Sequence, residues 1–157
     1  MYYLPIYSQY FINMTNLISH PDDWTTDPGT GKQYRVVRYE FPNHTESQRI
    51  CAENGGFLPE PRSQEENEFL RDFTINTFWL GAVRSSGDRF VWLSDGTDLD
   101  YNNWHQDQSN LGKDCGYRFY DTDVWGTRHC SFLCNYCGPS KPVCQRNVGK
   151  FSCYFCQ

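Results

Sequence analysis

The sequence predicts an α+β domain in which two short helices flank small antiparallel sheets and a long loop region, and in which disulfides cross-link the chain. Two capped amphipathic segments, near residues 45–54 and 64–73, predict the helices. Short alternating apolar runs between turn residues, from residue 78 onwards, predict the strands. Eight cysteines in 157 residues, seven of them after residue 114, predict local cross-linking of the C-terminal half.

The chain length fits one hydrophobic core, so we expect a single domain with an appendage at each end. Residues 1–22 are aromatic and polar without a clear period, and they predict an N-terminal arm. The core domain is expected over residues 23–146. Residues 147–157 then form a cysteine-containing C-terminal extension. The arm lacks the basic flank and the continuous apolar block of a signal peptide.

The charge balance and the cysteine usage exclude some partners and favour one compartment. Acidic residues outnumber basic ones by 19 to 14, so nucleic acid is not an expected partner. The longest apolar stretch, around Phe78 to Val83, is far shorter than the roughly 20 residues that span a bilayer. The cysteines predict a secreted, extracellular protein. Sequons at Asn13 and Asn43 predict glycosylation on a secretory route.

Capping signals predict both helices. Thr45, with Gln48 three residues later, has the pattern of a capping box, and Asn54 with the following glycines gives a stop. The first helix is therefore expected over residues 45–54. Ser63 and Glu66 repeat the capping pattern ahead of a run with one apolar face, which predicts a second helix over residues 64–73.

The remaining apolar runs predict strands around one long loop. The predicted strands cover residues 33–39, 78–83, 89–93, 115–120, 124–129 and 141–146. Runs 78–83 and 89–93 are joined by turn-forming residues and predict a hairpin. Residues 94–114 are rich in Asp, Asn, Gly and Ser and are too long for an ordinary connection. Such a loop favours a ligand surface, although Asp/Asn-rich segments also satisfy their own backbone.

Six pieces of the sequence occur in an order that points to one family. They are the helix with Cys51, Gly55-Gly56-Phe57-Leu58, the helix with Ser63-Gln64-Glu65-Glu66-Asn67, Phe78-Trp79-Leu80-Gly81-Ala82, Trp92-Leu93-Ser94-Asp95-Gly96 and Asn103-Trp104. Together they resemble the C-type lectin-like domain over residues 24–146. The resemblance implies a C-type lectin-like fold, with Trp92 and Trp104 as core residues that brace the loop. It also implies disulfides Cys51–Cys144 and Cys115–Cys130.

Four cysteines fall outside that framework. Cys134, Cys137, Cys153 and Cys156 allow three pairings. Their spacing also fits a four-thiolate zinc site. An oxidising compartment favours disulfides over zinc thiolates, so we expect two further bridges that pin the C-terminal extension.

The calcium site implied by the resemblance is degraded in this sequence. Gln108-Ser109-Asn110 stands where sugar-binding members carry a Glu-Pro-Asn or Gln-Pro-Asp triplet. Lys113 and Asp114 precede Cys115, which puts a lysine where a carboxylate is implied. Gly126 and Thr127 follow Trp125 in place of an Asn-Asp pair. Calcium prefers six to eight oxygen ligands, several of them anionic, so we expect no metal and no cofactor. The ligand-binding candidates are Gln108, Asn110, Lys113, Asp114, Trp125 and Thr127.

Three functional hypotheses remain, and none is catalytic. The four histidines are scattered and form no metal or nucleophile motif, so we do not expect an enzyme. The first hypothesis is an extracellular recognition domain that binds a glycan or protein ligand through the long loop without calcium. The second is a structural subunit of a matrix, coat or filament, assembled through residues 1–22. The third is a calcium-dependent carbohydrate-binding lectin.

Overall fold

The computed structural model describes residues 23–106, 113–120, 122–133 and 139–148. Within these residues the helices are α1 (His44–Glu53) and α2 (Gln64–Phe73). The strands are β1 (Thr25–Thr26), β2 (Lys32–Val36), β3 (Phe78–Ser86), β4 (Arg89–Trp92), β5 (Cys115–Arg118), β6 (Trp125–Arg128) and β7 (Val143–Asn147). Neither helix combines the length and the apolar character needed to cross a bilayer. The predicted α+β class is confirmed.

Several predictions fall outside the described residues and stay predictions. They concern the arm at residues 1–22 with its sequon at Asn13, the loop residues Gln108 and Asn110, the cysteines Cys134, Cys137, Cys153 and Cys156, and most of the extension at residues 147–157. The last described strand, β7, includes Asn147, the first residue of the predicted extension.

The N-cap of helix α1 lies two residues before the predicted cap. Asn43 is the N-cap, and its side-chain oxygen accepts a hydrogen bond of 2.8 Å from the Glu46 N–H, so the prediction of Thr45 as the cap is wrong. The first N–H of the helix, that of His44, donates to the distant Cys130 carbonyl at 3.0 Å. Helix α2 begins as predicted, because the Ser63 hydroxyl accepts from the Glu66 N–H.

The strands form two antiparallel sheets, as predicted. One sheet has the order β1-β2-β7 and the other has the order β4-β3-β5-β6. In the first sheet Lys32 pairs with Asn147 and Val36 pairs with Val143, so a strand from each end of the domain lies side by side. In the second sheet β3 is central, between β4 and β5, and leads from the core to the long loop.

Aromatic residues dominate the core, and two disulfides tie it together. One cluster contains Trp92 and Trp125, both fully buried, and the other surrounds the cysteines together with Trp79. Disulfides Cys51–Cys144 and Cys115–Cys130 are both formed, which confirms the pairing implied by the resemblance. The first closes 93 residues between α1 and β7, and the second closes 15 residues that include β5 and β6.

Candidate functional site

Strand β3 carries an arginine from the core to the long-loop side of the domain. Its first five residues are buried, and its exposure increases towards Ser86. The turn into β4 passes through Gly87, whose φ of 54° lies in the left-handed region that glycine adopts without strain. The register places Arg84 directly opposite Phe90 across the hairpin, so these two side chains share one face.

The Arg84 guanidinium is held by several acceptors. It donates to the Gly87 carbonyl at 2.6 Å and lies 3.2 Å from a carboxylate oxygen of Asp88 and of Asp114. It also lies over the Phe90 ring, with 4.7 Å between the guanidinium carbon and the ring centroid. The arginine side chain is 10% exposed, so its position is set by these contacts.

Two aromatic rings form a floor beside this arginine. The centroids of Phe90 and Trp104 lie 4.8 Å apart, and Trp104 meets the buried Trp125 edge-on at 5.4 Å. A backbone bridge joins Trp104 to Trp125 and fixes the loop against β6. The Trp104 ring can cross β5 because the strand has glycine there: a Cβ at Gly116 would lie only 3.1 Å from that ring.

These side chains surround a cleft of about 230 Å³ that we call the loop-side cleft. Its lining residues are Arg84, Asp88, Phe90, Trp104, His105, Gln106 and Thr127. His105 and Gln106 are exposed at the rim, whereas Thr127 is buried. The cleft therefore combines an aromatic floor with a polar rim that carries hydrogen-bond donors and acceptors.

A buried asparagine on α2 braces the loop behind the cleft. The Asn67 side chain accepts from the Trp125 indole N–H at 2.8 Å and donates to the Asp123 carbonyl at 2.7 Å. It also donates to the Tyr101 hydroxyl at 3.2 Å. Burial raises the pKa of Tyr101 above its ordinary value, so the phenol stays protonated at neutral pH. Helix α2 thus holds the long loop and the start of β6 in place through one side chain, that of Asn67.

The structure describes four of the six predicted ligand-binding residues, and they do not all lie at the loop-side cleft. Thr127 lines the loop-side cleft. Asp114 lies next to it, bound to Arg84, and the Lys113 carbonyl accepts from the same guanidinium at 3.4 Å. Trp125 is fully buried and supports the floor from behind. The ligand-binding roles of these residues stay predictions.

The described residues around the cleft do not fit a calcium cage. Both nearby carboxylates, Asp88 and Asp114, are engaged by the Arg84 guanidinium. Elsewhere in the described ranges, one group of three His, Cys or carboxylate side chains has its ligand atoms within 4.8 Å of one another: His44, Cys115 and Cys130. The two sulfurs of that group are joined as a disulfide, so they offer no thiolate to a metal.

His44 in that group is a packing residue. Its Nε2–H donates to the Leu80 carbonyl at 3.0 Å, and its ring meets Trp79 edge-on at 5.4 Å. Burial lowers the pKa of His44 to about 4, so the ring is neutral near pH 7.

Sequence reasoning missed most of the cleft. Asp88 and Phe90 were assigned to a turn and a strand, and Asn67 to a capped helix. One signal was available in the hairpin: Gly87 marks the tight turn, and a turn there sets Arg84 opposite a strand residue of β4. His105 and Gln106 reach the cleft through the pairing of the loop with Trp125, for which the sequence carries no local signal.

Comparisons with known proteins agree on one family. The Lectin C-type domain model matches residues 40–137. A lectin of Pleurodeles waltl is 32% identical over 102 residues, which cover 55% of this chain and 59% of that lectin. The cow CD23 C-type carbohydrate-recognition domain, solved in the presence of GlcNAc2Man3 oligosaccharide, has a TM-score of 0.67 at 22% identity, over 80% of this chain and 93% of that one. A calcium-independent type II antifreeze protein has a TM-score of 0.64 at 20% identity, over 78% and 90% of the two chains.

Proposed function

Because this chain belongs to the Lectin C-type domain family, we propose that it is a secreted, non-catalytic recognition module that binds a glycan through the loop-side cleft without calcium. The observation that carries the proposal is the Arg84 guanidinium, fixed beside the aromatic floor by Asp88 and Asp114. The chain spans 59% of the length of the Pleurodeles lectin it matches, so the proposal concerns this domain.

Electrostatics supports binding without calcium. The guanidinium of Arg84 repels a divalent ion. Its carboxylate partners Asp88 and Asp114 attract such an ion, but both are directed at the arginine, so the ion would have to displace the guanidinium before it could use their oxygens as ligands. Lys113 adds a second cation at the position where the resemblance implies a carboxylate. The antifreeze protein with a similar fold is described as calcium-independent, which is consistent with a domain of this fold that does not use the ion.

The chemistry of the cleft favours a neutral sugar as the ligand. Pyranose rings have apolar C–H faces that pack on aromatic rings, and the floor of Phe90 and Trp104 supplies such a surface. Their hydroxyl groups both donate and accept hydrogen bonds, which matches the mixed rim of Asp88, His105 and Gln106. The positive charge of Arg84 is offset by its two carboxylate partners, so the site does not select for an anion.

Secretion and the absence of catalysis have separate support. Two long-range disulfides among the described residues are typical of proteins that fold in an oxidising compartment. The sequon Asn43 caps α1 through its side-chain oxygen, which leaves the amide nitrogen as the atom for an attached glycan. His44, the buried histidine of the described residues, bonds to a backbone carbonyl and not to a nucleophile.

A glycan array probed in calcium and again in chelator tests the proposal. We expect the same glycans to bind under both conditions. The variant Arg84→Gln should weaken binding about 10-fold or more, because it removes a charge-assisted donor at the rim. Arg89→Gln is the matched control, since Arg89 lies on the same hairpin but pairs with Asp98 away from the cleft.

Two outcomes of that experiment would contradict the proposal. Binding that disappears in chelator would establish a calcium-dependent lectin. An array without binding, together with capture of a protein ligand that Arg84→Gln abolishes, would establish protein recognition instead. Circular dichroism of each variant confirms that it is folded before its binding is compared.

A further inference from the structure

Arg128, the last residue of β6, lies on the opposite face of its sheet from the floor of the loop-side cleft. Side chains alternate between the two faces along a strand, so Arg128 points away from the face that carries Thr127. The register agrees, because Arg128 pairs with Cys115 of β5 whereas Thr127 pairs with Gly116. Thr127 lines the cleft, and Arg128 is partly buried. Arg128 is therefore close to the cleft without belonging to its lining.

Two aromatic rings hold the guanidinium of Arg128. Its central carbon lies 4.7 Å from the ring centroid of Phe132 and 5.7 Å from that of Tyr117. Aromatic faces attract the cation, but they do not take up its N–H donors as a carboxylate does. Because the rings already hold the planar guanidinium, little conformational freedom is lost when an anion binds to it.

The N–H donors of Arg128 have no protein acceptor in the part of the chain that the structure describes. Within residues 23–106, 113–120, 122–133 and 139–148, its guanidinium makes no hydrogen bond and no ion pair. The carboxylate of Asp114, which precedes Cys115 on the neighbouring strand, is bound to Arg84 instead. Four other arginines each pair with a carboxylate, namely Arg49, Arg62, Arg71 and Arg89. A partly buried guanidinium with unused donors is complementary to an anionic ligand.

An aromatic stripe of His105, Phe119 and Tyr117 leads from the cleft to this cation. His105 is at the rim of the cleft, and its ring centroid lies 6.2 Å from that of Phe119, which lies 4.9 Å from that of Tyr117. The last two rings can lie across β6 because Gly126 has no side chain: a Cβ there would lie 2.8 Å from the Tyr117 ring and 2.9 Å from the Phe119 ring. Phe119 is partly exposed and Tyr117 is buried, so Phe119 supplies the outer surface of the stripe.

We propose that Arg128 binds an anionic group, a sulfate or a carboxylate, on a glycan whose neutral sugar occupies the loop-side cleft. This inference rests on the proposed glycan binding and narrows the ligand to an acidic oligosaccharide that passes His105 and crosses Phe119. A sugar ring can pack its C–H face on Phe119, and the anionic group then accepts hydrogen bonds from the guanidinium of Arg128. The positive charge of Arg84 is offset by two carboxylates, so the selection for an anion comes from Arg128.

Matched glycans on the array test this inference in the full chain. The probes are sets that share one neutral chain and end in a hydroxyl, a sulfate or a sialic acid, such as N-acetyllactosamine with its 3′-sulfate and its 3′-sialyl form. At least one anionic form should bind about 10-fold more tightly than the neutral form, because it adds a charge-assisted hydrogen bond. The form that gains affinity distinguishes a sulfate from a carboxylate, and the gain should shrink as the salt concentration rises.

Substitutions at three arginines identify the residue that selects the anion. Arg128→Gln should remove the preference for the anionic form and leave the Kd of the neutral form unchanged, which also shows that the variant is folded. Arg89→Gln removes an equal charge elsewhere on the sheet and should keep the preference. Arg128→Lys keeps the charge without the planar guanidinium, so it should lose part of the preference even if Arg128→Gln does not fold.

Arg84→Gln separates this inference from the proposed function. It should weaken the binding of all three forms and preserve the preference among them. If it leaves all three affinities unchanged, the loop-side cleft is not the sugar site, whereas the role of Arg128 is still decided by the contrast between anionic and neutral forms. Equal binding of the three forms by the parent chain, or a preference that survives in Arg128→Gln, would overturn the inference.

Discussion

Strand β3 passes through two regions of the molecule: its first side chains pack in the core, and a later one lines the loop-side cleft. At its start Phe78 and Leu80 are fully buried in the core, whereas near its end Arg84 reaches the loop-side cleft. Strand β6 shows the same division: Trp125 is buried in the core, and Thr127 lines the cleft. Core packing and the proposed recognition surface are therefore separated along the same strands, a few residues apart.

If this separation holds, substitutions in the core region should lower the free energy of unfolding, and substitutions at the rim should change mainly binding. The largest expected effect comes from the disulfides. Replacing Cys51 and Cys144 together by alanine should lower the free energy of unfolding by about 4–5 kcal/mol, because the bond closes 93 residues in the unfolded chain. Replacing Cys115 and Cys130 should cost about 3 kcal/mol, because that bond closes 15 residues.

Urea denaturation of the two double variants measures this difference. Small domains have net stabilities of about 5–15 kcal/mol, so the first variant should retain little stability even without urea. Equal losses in both variants, or a larger loss for the shorter loop, would contradict the chain-entropy explanation.

The next largest effect is expected at the asparagine that braces the loop. Asn67→Leu leaves the buried Trp125 indole N–H without an acceptor, whereas the Asp123 carbonyl keeps its hydrogen bond from Asn103. The substitution should lower the free energy of unfolding by about 1–3 kcal/mol. Arg71→Gln on the same helix is the control, since its ion pair with Asp72 is fully exposed to solvent and contributes little to stability. Equal effects of the two substitutions in thermal or urea unfolding would show that Asn67 does not brace the loop.

A pH dependence of stability should follow from His44. Its pKa is about 4 in the folded protein and about 6.5 when exposed in the unfolded chain, so the unfolded state binds the proton first as the pH falls. Stability from this group is complete above pH 6.5 and should fall by about 2 kcal/mol between pH 6.5 and pH 5. Urea unfolding across this range should show the fall in the free energy of unfolding in the parent chain and in His129→Gln, which replaces an exposed histidine. The same measurement on His44→Gln should show that this pH dependence has disappeared. If the free energy of unfolding of His44→Gln still depends on pH in this range, another titratable group causes the dependence.

The smallest effect on stability is expected at the rim of the cleft. Asp88→Asn removes an exposed ion pair with Arg84 and should change the free energy of unfolding by less than about 1 kcal/mol. The Kd for a glycan found on the array should nevertheless rise several-fold, because Asp88 both accepts hydrogen bonds and positions the guanidinium. A large stability loss with unchanged Kd would reverse the assignment of this residue to the recognition region.

Local signals in the sequence predicted the secondary structure well, except where two signals competed. Helix α2 has one capping residue, Ser63, and it begins as predicted. Helix α1 has two candidates, because Asn43 precedes Glu46 by three residues just as Thr45 precedes Gln48. The structure uses Asn43, and the neighbouring His44 N–H bonds to the distant Cys130 carbonyl, a contact that no local pattern encodes.

The candidate site was predicted less completely, because its parts come from distant segments. The resemblance pointed to Thr127 and Asp114, which lie at the cleft or beside it. The aromatic floor joins Phe90 to Trp104 through the packing of the loop on β6. Contacts of this kind depend on the tertiary arrangement of the strands, so composition and spacing alone do not reveal them.

The pairing of β2 with β7 has a mechanical consequence. Lys32, at the start of β2, lies opposite Asn147, at the end of β7, so tension applied to the two ends of the domain would unzip these strands one hydrogen bond at a time. The separation would stop at the Cys51–Cys144 disulfide, which keeps the intervening 93-residue segment from being drawn out. Both the Arg84 hairpin and Thr127 lie inside that segment, so the proposed recognition surface would be shielded from a pulling force that frees the outer strands.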